Sequence, residues 1–402
     1  MRTWSFSSAG ALFFGRNAVQ IHLRDACERL GAKRAFIVTD AVLVRAGILA
    51  QVTKPLAALG VAFESFDRIT PEPGVELVRE CVAAARAAAP DVIIGLGGGS
   101  NMDTAKLVSM ILAHGGDPLD YAGDCRVPGP VTPLVCVPTT AGTGSEVSAA
   151  AVFTDTANHI KVSCLSPFLR PAFAIVDPLL TVSCPPKVTA DSGIDALTHA
   201  IEGFCAVHND EFPLPSGEKT VYQGKNPMAD LMAREAITLV GRFLRRAVRD
   251  GSDLEARDGM ALAATLGGLA FSNAGVALVH AMEYPVGGAV HVSHGAGNGL
   301  LLPYVMRFNL HHRVEQTAVI GEWLGVRAGG HGMMEYAEAA LREIEQLRAD
   351  TGIPTRLRDI GVKEEMLPGF AAKAFAIKRL MRVNPRMPQS EDEILGIYRA
   401  AF

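Results

Sequence analysis

Short β-branched apolar runs alternate with helical stretches through the first half of the chain. This alternation restricts the fold more than any other feature. RAFIVT (34–39), Val61–Phe66 and DVIIGL (91–96) read as strands. Ala18–Leu30, Val42–Leu59 (broken at Pro55) and Glu76–Ala89 read as helices, and Ala11–Gly15 as an extended lead-in. Strands and helices alternating at this spacing predict a parallel sheet covered on both faces. Ligands of such folds bind at the carboxyl ends of the strands. The pattern changes at Pro185-Pro186. Beyond it the periodicity is helical, as in Ala229–Val248, Leu254–Leu269, Val314–Leu324, Met334–Arg348 and Glu391–Phe402. The expectation is an α/β domain over 1–184 and an all-helical domain over 185–402.

Composition narrows the function classes. Lys plus Arg number 38 and Asp plus Glu 42, a formal charge of −4, with no basic run or aromatic–basic interleave, so nucleic acid is not an expected partner. No apolar run reaches membrane-spanning length, and MRTWSFSSAG lacks a signal-peptide pattern. The seven cysteines are scattered without a C-x-x-C, which fits reduced thiols in a cytoplasm.

Two loops lie at expected strand ends. Gly97-Gly98-Gly99-Ser100 follows DVIIGL and leads into a helix expected near Met102. Its glycines let the backbone approach a pyrophosphate, and the helix N-terminus offers free amides, although a tight strand–helix turn reads the same way. PTTAGTGSE (138–146) follows the apolar run Pro133–Val137 and is dense in hydroxyls and glycines, which suits a ribose, phosphate or amide. Asp40 ends RAFIVT. It could accept from ribose hydroxyls and repel a 2′-phosphate, or simply cap the next helix. There is no G-x-G-x-x-G after the first strand.

Asp191–Phe204, DSGIDALTHAIEGF, reads as a helix capped by Asp191 or Ser192, with Asp195 and His199 one turn apart on one face. Such a pair can grip one metal ion or make only a surface hydrogen bond. In AGVALVHAMEYPVGGAVHVSH (274–294), His280 lies in an apolar helical run expected to end at Pro285 and Gly287-Gly288, and His294 opens HGAGNG. Fourteen residues of unbroken helix span about 21 Å, so the segment must fold back if both histidines serve one ion. His291 is a further candidate, and a histidine on an apolar face such as His280 can equally be a core residue.

GGGSNMDTAK (97–106), PTTAGTGSE (138–146), the D-A-L-T-H helix and the His280/His294 pair, in this order, resemble the iron-dependent (group III) alcohol dehydrogenase family. The resemblance runs from FGR (14–16) to NPRMPQSEDEIL (384–395). It implies a Rossmann-like dinucleotide domain packed on a helical domain, with one divalent ion in the cleft held by Asp195, His199, His280 and His294. It implies NAD held by Gly97, Gly98, Gly99, Ser100, Asp103, Thr139, Thr140, Thr143 and Lys161. Asp40 matches the aspartate of NAD-preferring members. Iron is the implied metal, with zinc an alternative occupant that binds more tightly by the usual affinity order. A homodimer in the cytoplasm acting on a small alcohol or aldehyde is also implied. The reaction is hydride transfer between substrate and NAD, with the substrate oxygen on the ion.

The chain departs from the family pattern in three places. Tyr284 stands where many members carry a relay histidine, Asn101 replaces the usual proline after GGGS, and HNDEFPLPSGEKTVYQGKNP (208–227) is an extra loop. The loop, with RAVRD, DLEAR and SNAGVALVHAMEYP, partly resembles the hydroxyacid–oxoacid transhydrogenase branch, which passes hydride between 4-hydroxybutyrate and 2-oxoglutarate on a retained nicotinamide. His208, Lys219, Tyr222, Gln223, Lys225 and Asn226 could hold a polar or anionic tail, or the loop could be a surface insertion. A metal-dependent lyase or cyclase of the dehydroquinate synthase type is the third reading.

Overall fold

The computed structural model describes residues 2–158, 160–214, 217–327 and 332–402. It divides into two compact units. One is Ser8–Cys184 with Lys219–Val221; the other is Met1–Ser7, Pro185–Glu218 and Tyr222–Phe402.

The first unit holds β1 (Ala11–Phe14), α1 (Ala18–Leu30), β2 (Arg34–Val38), α2 (Ala41–Arg45), α3 (Ile48–Ala58), β3 (Ala62–Phe66), α4 (Val75–Ala88), β4 (Val92–Gly97), α5 (Gly99–His114), β5 (Gly123–Asp124), β6 (Leu134–Pro138), β7 (Ala150–Asp155), β8 (Ile160–Leu165) and β9 (Phe173–Val176). Six strands form one sheet in the order β1-β9-β6-β4-β2-β3, every described neighbour pair parallel. The sheet is apolar on both sides, as a parallel sheet between helices requires. Val19, Leu23, Val52 and Leu56 of α1 and α3 pack with Ile37, Ile94 and Val135 on one face. Val78, Val82, Met102 and Leu107 of α4 and α5 pack with Phe36, Ile93 and Cys136 on the other.

Three details differ from the expectation. The 42–59 stretch breaks at Gly47, which sits at φ 74°, a conformation glycine adopts without strain; Pro55 lies inside α3. The helix after the triple glycine starts at Gly99, three residues before Met102. The antiparallel pair β7–β8 and the strand β9 were not anticipated. Among the described residues all seven cysteines are free thiols.

The second unit holds α6 (Pro186–Cys205), α7 (Pro227–Arg249), α8 (Leu254–Ala274), α9 (Leu278–Val290), α10 (His294–Asn309), α11 (Val314–Trp323), α12 (Met333–Asp350), α13 (Leu367–Ala376), α14 (Lys378–Met381) and α15 (Glu391–Ala401). Its long helices start at strong signals: Pro186 opens α6, Asn226 Oδ1 accepts from the Ala229 amide of α7, and Asp253 Oδ1 from the Ala256 amide of α8. Because the proline pair starts α6 early, Asp191 is not its cap but lies in its second turn, bound to Lys187. Pro285 does not end α9 either. The helix runs through it to Val290, and the turn falls at 291–293, where His291 takes φ 54°. Gly193 and Gly295 allow the close packing around α6: a Cβ on Gly193 would meet Leu244 Cδ1 at 2.2 Å, and one on Gly295 would meet the Asp191 carbonyl oxygen at 2.0 Å. Among the described residues no single helix is long and apolar enough to cross a membrane.

Candidate metal and cofactor sites

The fold-back at 291–293 puts α9 and α10 side by side and both against the α6 region, so His280, His294 and Asp195 meet. One ligand atom from each of these three lies within 4.8 Å of the others. His199 joins through Asp195, its Nε2 3.9 Å from Asp195 Oδ1 and its ring centroid 4.9 Å from that of His280. His291 is not drawn into the cluster; it terminates α9.

The rings are oriented from behind. Glu202, one turn after His199 on α6, accepts from the amides of Ala277 (2.9 Å) and Val279 (2.7 Å), capping α9, and pairs with His280 Nδ1 at 2.6 Å. Glu283 pairs with His294 Nδ1 at 2.5 Å. With each Nδ1–H donating to its carboxylate, the two Nε2 atoms carry the lone pairs and face the side where Asp195 lies. The Asn298 amide lies among them, 2.8 Å from Asp195 Oδ1, 3.1 Å from His280 Nε2 and 3.2 Å from His294 Nε2. Sequence reading missed Glu202, Glu283 and Asn298. Glu202 was visible as a carboxylate in an apolar helix three residues from His199, and Asn298 as a polar residue four after His294.

Burial raises the Asp195 carboxyl pKa, but the His199, His294 and His280 rings and the Asn298 amide outweigh it and hold the group below its usual range. Burial drives His199 down to about 4, so its ring is neutral at pH 7. Its Nδ1 is buried without a hydrogen-bond partner. A carboxylate, the neutral His199 ring and the converging ring nitrogens of His280 and His294 make a donor set that fits a borderline divalent cation such as iron or zinc. Tyr284 is buried with its ring centroid 6.2 Å from that of His294.

In the other unit the register Gly97↔Pro138 puts the ends of β4 and β6 side by side, with β2 on the far side of β4. Asp40, the triple glycine and the 139–143 loop therefore share one end of the sheet. The loops fit each other: the Thr139 amide donates to Gly97 O, and a Cβ on Gly99 would lie 2.8 Å from Thr143 Cγ2. Thr140 stands over Gly98 at ordinary contact distance. Gly98 caps α5, so this end of the sheet carries its free amides and positive dipole end.

Asp40 does act as a helix cap: Oδ1 accepts from Val42 and Leu43, while Oδ2 accepts from Asn101 Nδ2 at 2.8 Å. Asn101, at the departure from the family proline, thus braces Asp40. Ser100 Oγ accepts from the Glu72 amide, and Lys161 Nζ lies 2.8 Å from Glu72 Oε1. Asp103 accepts from Ser145 Oγ (2.6 Å) and the Val152 amide (2.9 Å), tying the second loop to α5.

Several polar groups of the 208–227 loop support the loop itself or the elements beside it. Gln223 holds Ser5, Lys225 pairs with Asp230, Asn226 caps α7 and Tyr222 is buried. His208 accepts from the Asp210 amide. Pro215 and Ser216 lie outside the described residues.

Residues 9–178 match the sequence profile of the iron-containing alcohol dehydrogenases, and residues 217–402 that of the Fe-containing alcohol dehydrogenase family C-terminal region. The chain belongs to the iron-containing alcohol dehydrogenase family and is an NAD-dependent alcohol oxidoreductase. It is 40% identical to long-chain-alcohol dehydrogenase 1 of Geobacillus thermodenitrificans, over 93% of this chain and 91% of that one. A solved 1,3-propanediol oxidoreductase superimposes with a TM-score of 0.92 at 38% identity, covering 100% of both chains. Sulfoacetaldehyde reductase from Bifidobacterium kashiwanohense, solved in complex with NAD+, superimposes with a TM-score of 0.82 at 28% identity, covering 100% of this chain and 99% of that one.

Proposed function

We propose that this enzyme interconverts a small alcohol and its aldehyde with NAD, using a divalent ion held by Asp195, His199, His280 and His294. The observation that carries this reading is the meeting of Asp195, His280 and His294 ligand atoms within 4.8 Å, with a buried carboxylate behind each of the last two rings. When bound, the ion polarises the substrate's carbon–oxygen bond and the nicotinamide exchanges the hydride. The chain's own groups do the positioning. Glu202 and Glu283 hold the Nδ1 protons of His280 and His294, and Asn298 holds Asp195. Tyr284 supplies a hydroxyl donor at the relay position. Asp40, Gly97, Gly98, Gly99, Ser100, Asp103, Thr139, Thr140, Thr143 and Lys161 form the NAD half, with Asp103 acting through Ser145 and Asp40 selecting against a 2′-phosphate.

The ion is iron in this reading, with zinc competing where it is abundant. The Ser8–Cys184 unit is the cofactor half and the helical unit the metal half. A neutral substrate is favoured over the hydroxyacid–oxoacid exchange, because Gln223, Lys225 and Asn226 of the loop are engaged by Ser5, Asp230 and the start of α7. The test follows reduced nicotinamide with propanol and NAD before chelation, after it, and after return of ferrous iron or zinc. Activity should vanish and return, and His280→Ala should lose most bound metal while its circular dichroism stays native. Full metal occupancy in that variant removes His280 from the site.

A further inference from the structure

We propose that Glu283 is the positioning residue for His294, and that its carboxylate sets how tightly the helical unit holds a divalent cation. The inference rests on the metal site proposed above. Glu283 is fully buried, with its Oε2 2.5 Å from His294 Nδ1. On α9 it stands among the buried residues Met282, Tyr284 and Val286. A buried carboxylate is costly unless it is paired, and the His294 ring nitrogen is a partner at hydrogen-bond distance.

The surroundings hold that carboxylate in place. Gly297, one turn along α10 from His294, leaves room for it: a Cβ there would lie 2.8 Å from Glu283 Cγ. Tyr398 of α15 donates to the Met282 carbonyl at 2.6 Å, bracing the backbone one residue before Glu283. Glu283 thereby mirrors Glu202. One carboxylate comes from α6 and reaches α9, and the other comes from α9 and reaches α10. Each locks a histidine in the tautomer whose Nε2 lone pair faces Asp195. His294 is the ring that needs this most, since its side chain is 32% exposed while that of His280 is 3% exposed. Without Glu283, the His294 ring can turn toward solvent or take the proton on Nε2, and either change removes a ligand.

The test measures cation binding on metal-free protein, by zinc competition with a chromogenic chelator, for wild type, Glu283→Gln and Glu283→Ala. Glu283→Gln keeps the shape and a neutral acceptor, so it should lose roughly tenfold in affinity; Glu283→Ala should lose up to about a hundredfold. Cobalt substitution gives a second reading, since loss of the His294 ligand changes the visible bands. A merely structural role predicts lowered thermal stability of the metal-free variants with zinc affinity and cobalt spectrum unchanged, and that result overturns the proposal. If Glu283→Ala does not fold, the isosteric Glu283→Gln decides alone. If His280→Ala also binds zinc like wild type, the metal-site reading itself fails. If only the Glu283 variants do, this inference fails and the site stands.

Discussion

Gly295→Ala is the substitution that best tests the link between helix packing and cation binding. Gly295 immediately follows His294 at the start of α10, where that helix leans on α6. A Cβ there would sit 2.0 Å from the Asp191 carbonyl oxygen and 3.1 Å from Asp195 Cβ. Ordinary contact begins well beyond 3 Å, so α10 must move from α6 by about 1 Å or more. The obstruction is backbone on a buried helix, which cannot rotate away. Overpacking of this kind costs about 1–3 kcal/mol, against roughly 0.5–1 kcal/mol that alanine returns through backbone entropy. The functional effect should be larger than the stability effect. His294 and Asp195 belong to the two helices being separated, and metal–ligand distances tolerate only about 0.2 Å. Zinc affinity should therefore fall by tenfold or more, while thermal unfolding of the metal-free protein drops by a few degrees. Gly396→Ala is the control: it lies within α15 with nothing near its added Cβ and should be neutral or stabilising. If Gly295→Ala behaves like Gly396→Ala in both measurements, the α6–α10 approach does not set the ligand geometry.

Two further outcomes follow from single side chains. Asp40→Ala should improve use of NADP relative to NAD by several-fold, through loss of the negative charge, and should cost about 1 kcal/mol by uncapping α2; a wild-type preference for NADP would refute the ribose assignment. In metal-free protein, His199 stays neutral down to about pH 4 while an unfolded histidine takes a proton near 6.5, so the unfolded chain binds more protons between these values and stability falls as pH falls through that window. The loss is of the order of 3 kcal/mol, and a His199→Gln variant whose unfolding free energy keeps the wild-type slope between pH 6.5 and 4 would contradict it.

Much of the architecture was legible because apolar spacing dictates it. DVIIGL and RAFIVT became adjacent buried parallel strands, and the glycine and threonine loops beyond them share one end of the sheet. The one-turn pair Asp195/His199 and the fold-back between His280 and His294 followed from helical geometry. The location of that fold-back did not. Pro285 signalled a helix end, but tertiary packing carried α9 through it, and His291 made the turn by adopting a left-handed conformation that sequence marks only weakly. Glu202 and Glu283 were hidden for a related reason. A carboxylate in an apolar helix declares itself only when its partner is known, and the partners are 78 and 11 residues away.

The charge around the histidines bears on the substrate. Asp195, Glu202 and Glu283 surround the three rings, His199 is neutral, and a bound divalent ion would leave the cluster near −1. A substrate carboxylate about 7 Å away, at an effective dielectric of about 20, would meet roughly 2 kcal/mol of repulsion, some thirtyfold in kcat/KM. Lys187 and Lys225 do not offset this, being bound to Asp191 and Asp230. Propanol and 1,3-propanediol should therefore be oxidised more efficiently than 4-hydroxybutyrate. At saturating cation, Glu283→Gln should narrow that gap by removing one of the three charges. A wild-type enzyme that prefers 4-hydroxybutyrate and turns over without added NAD would restore the hydroxyacid–oxoacid exchange. An unchanged ratio in Glu283→Gln would show that the preference, whatever its direction, does not come from this cluster.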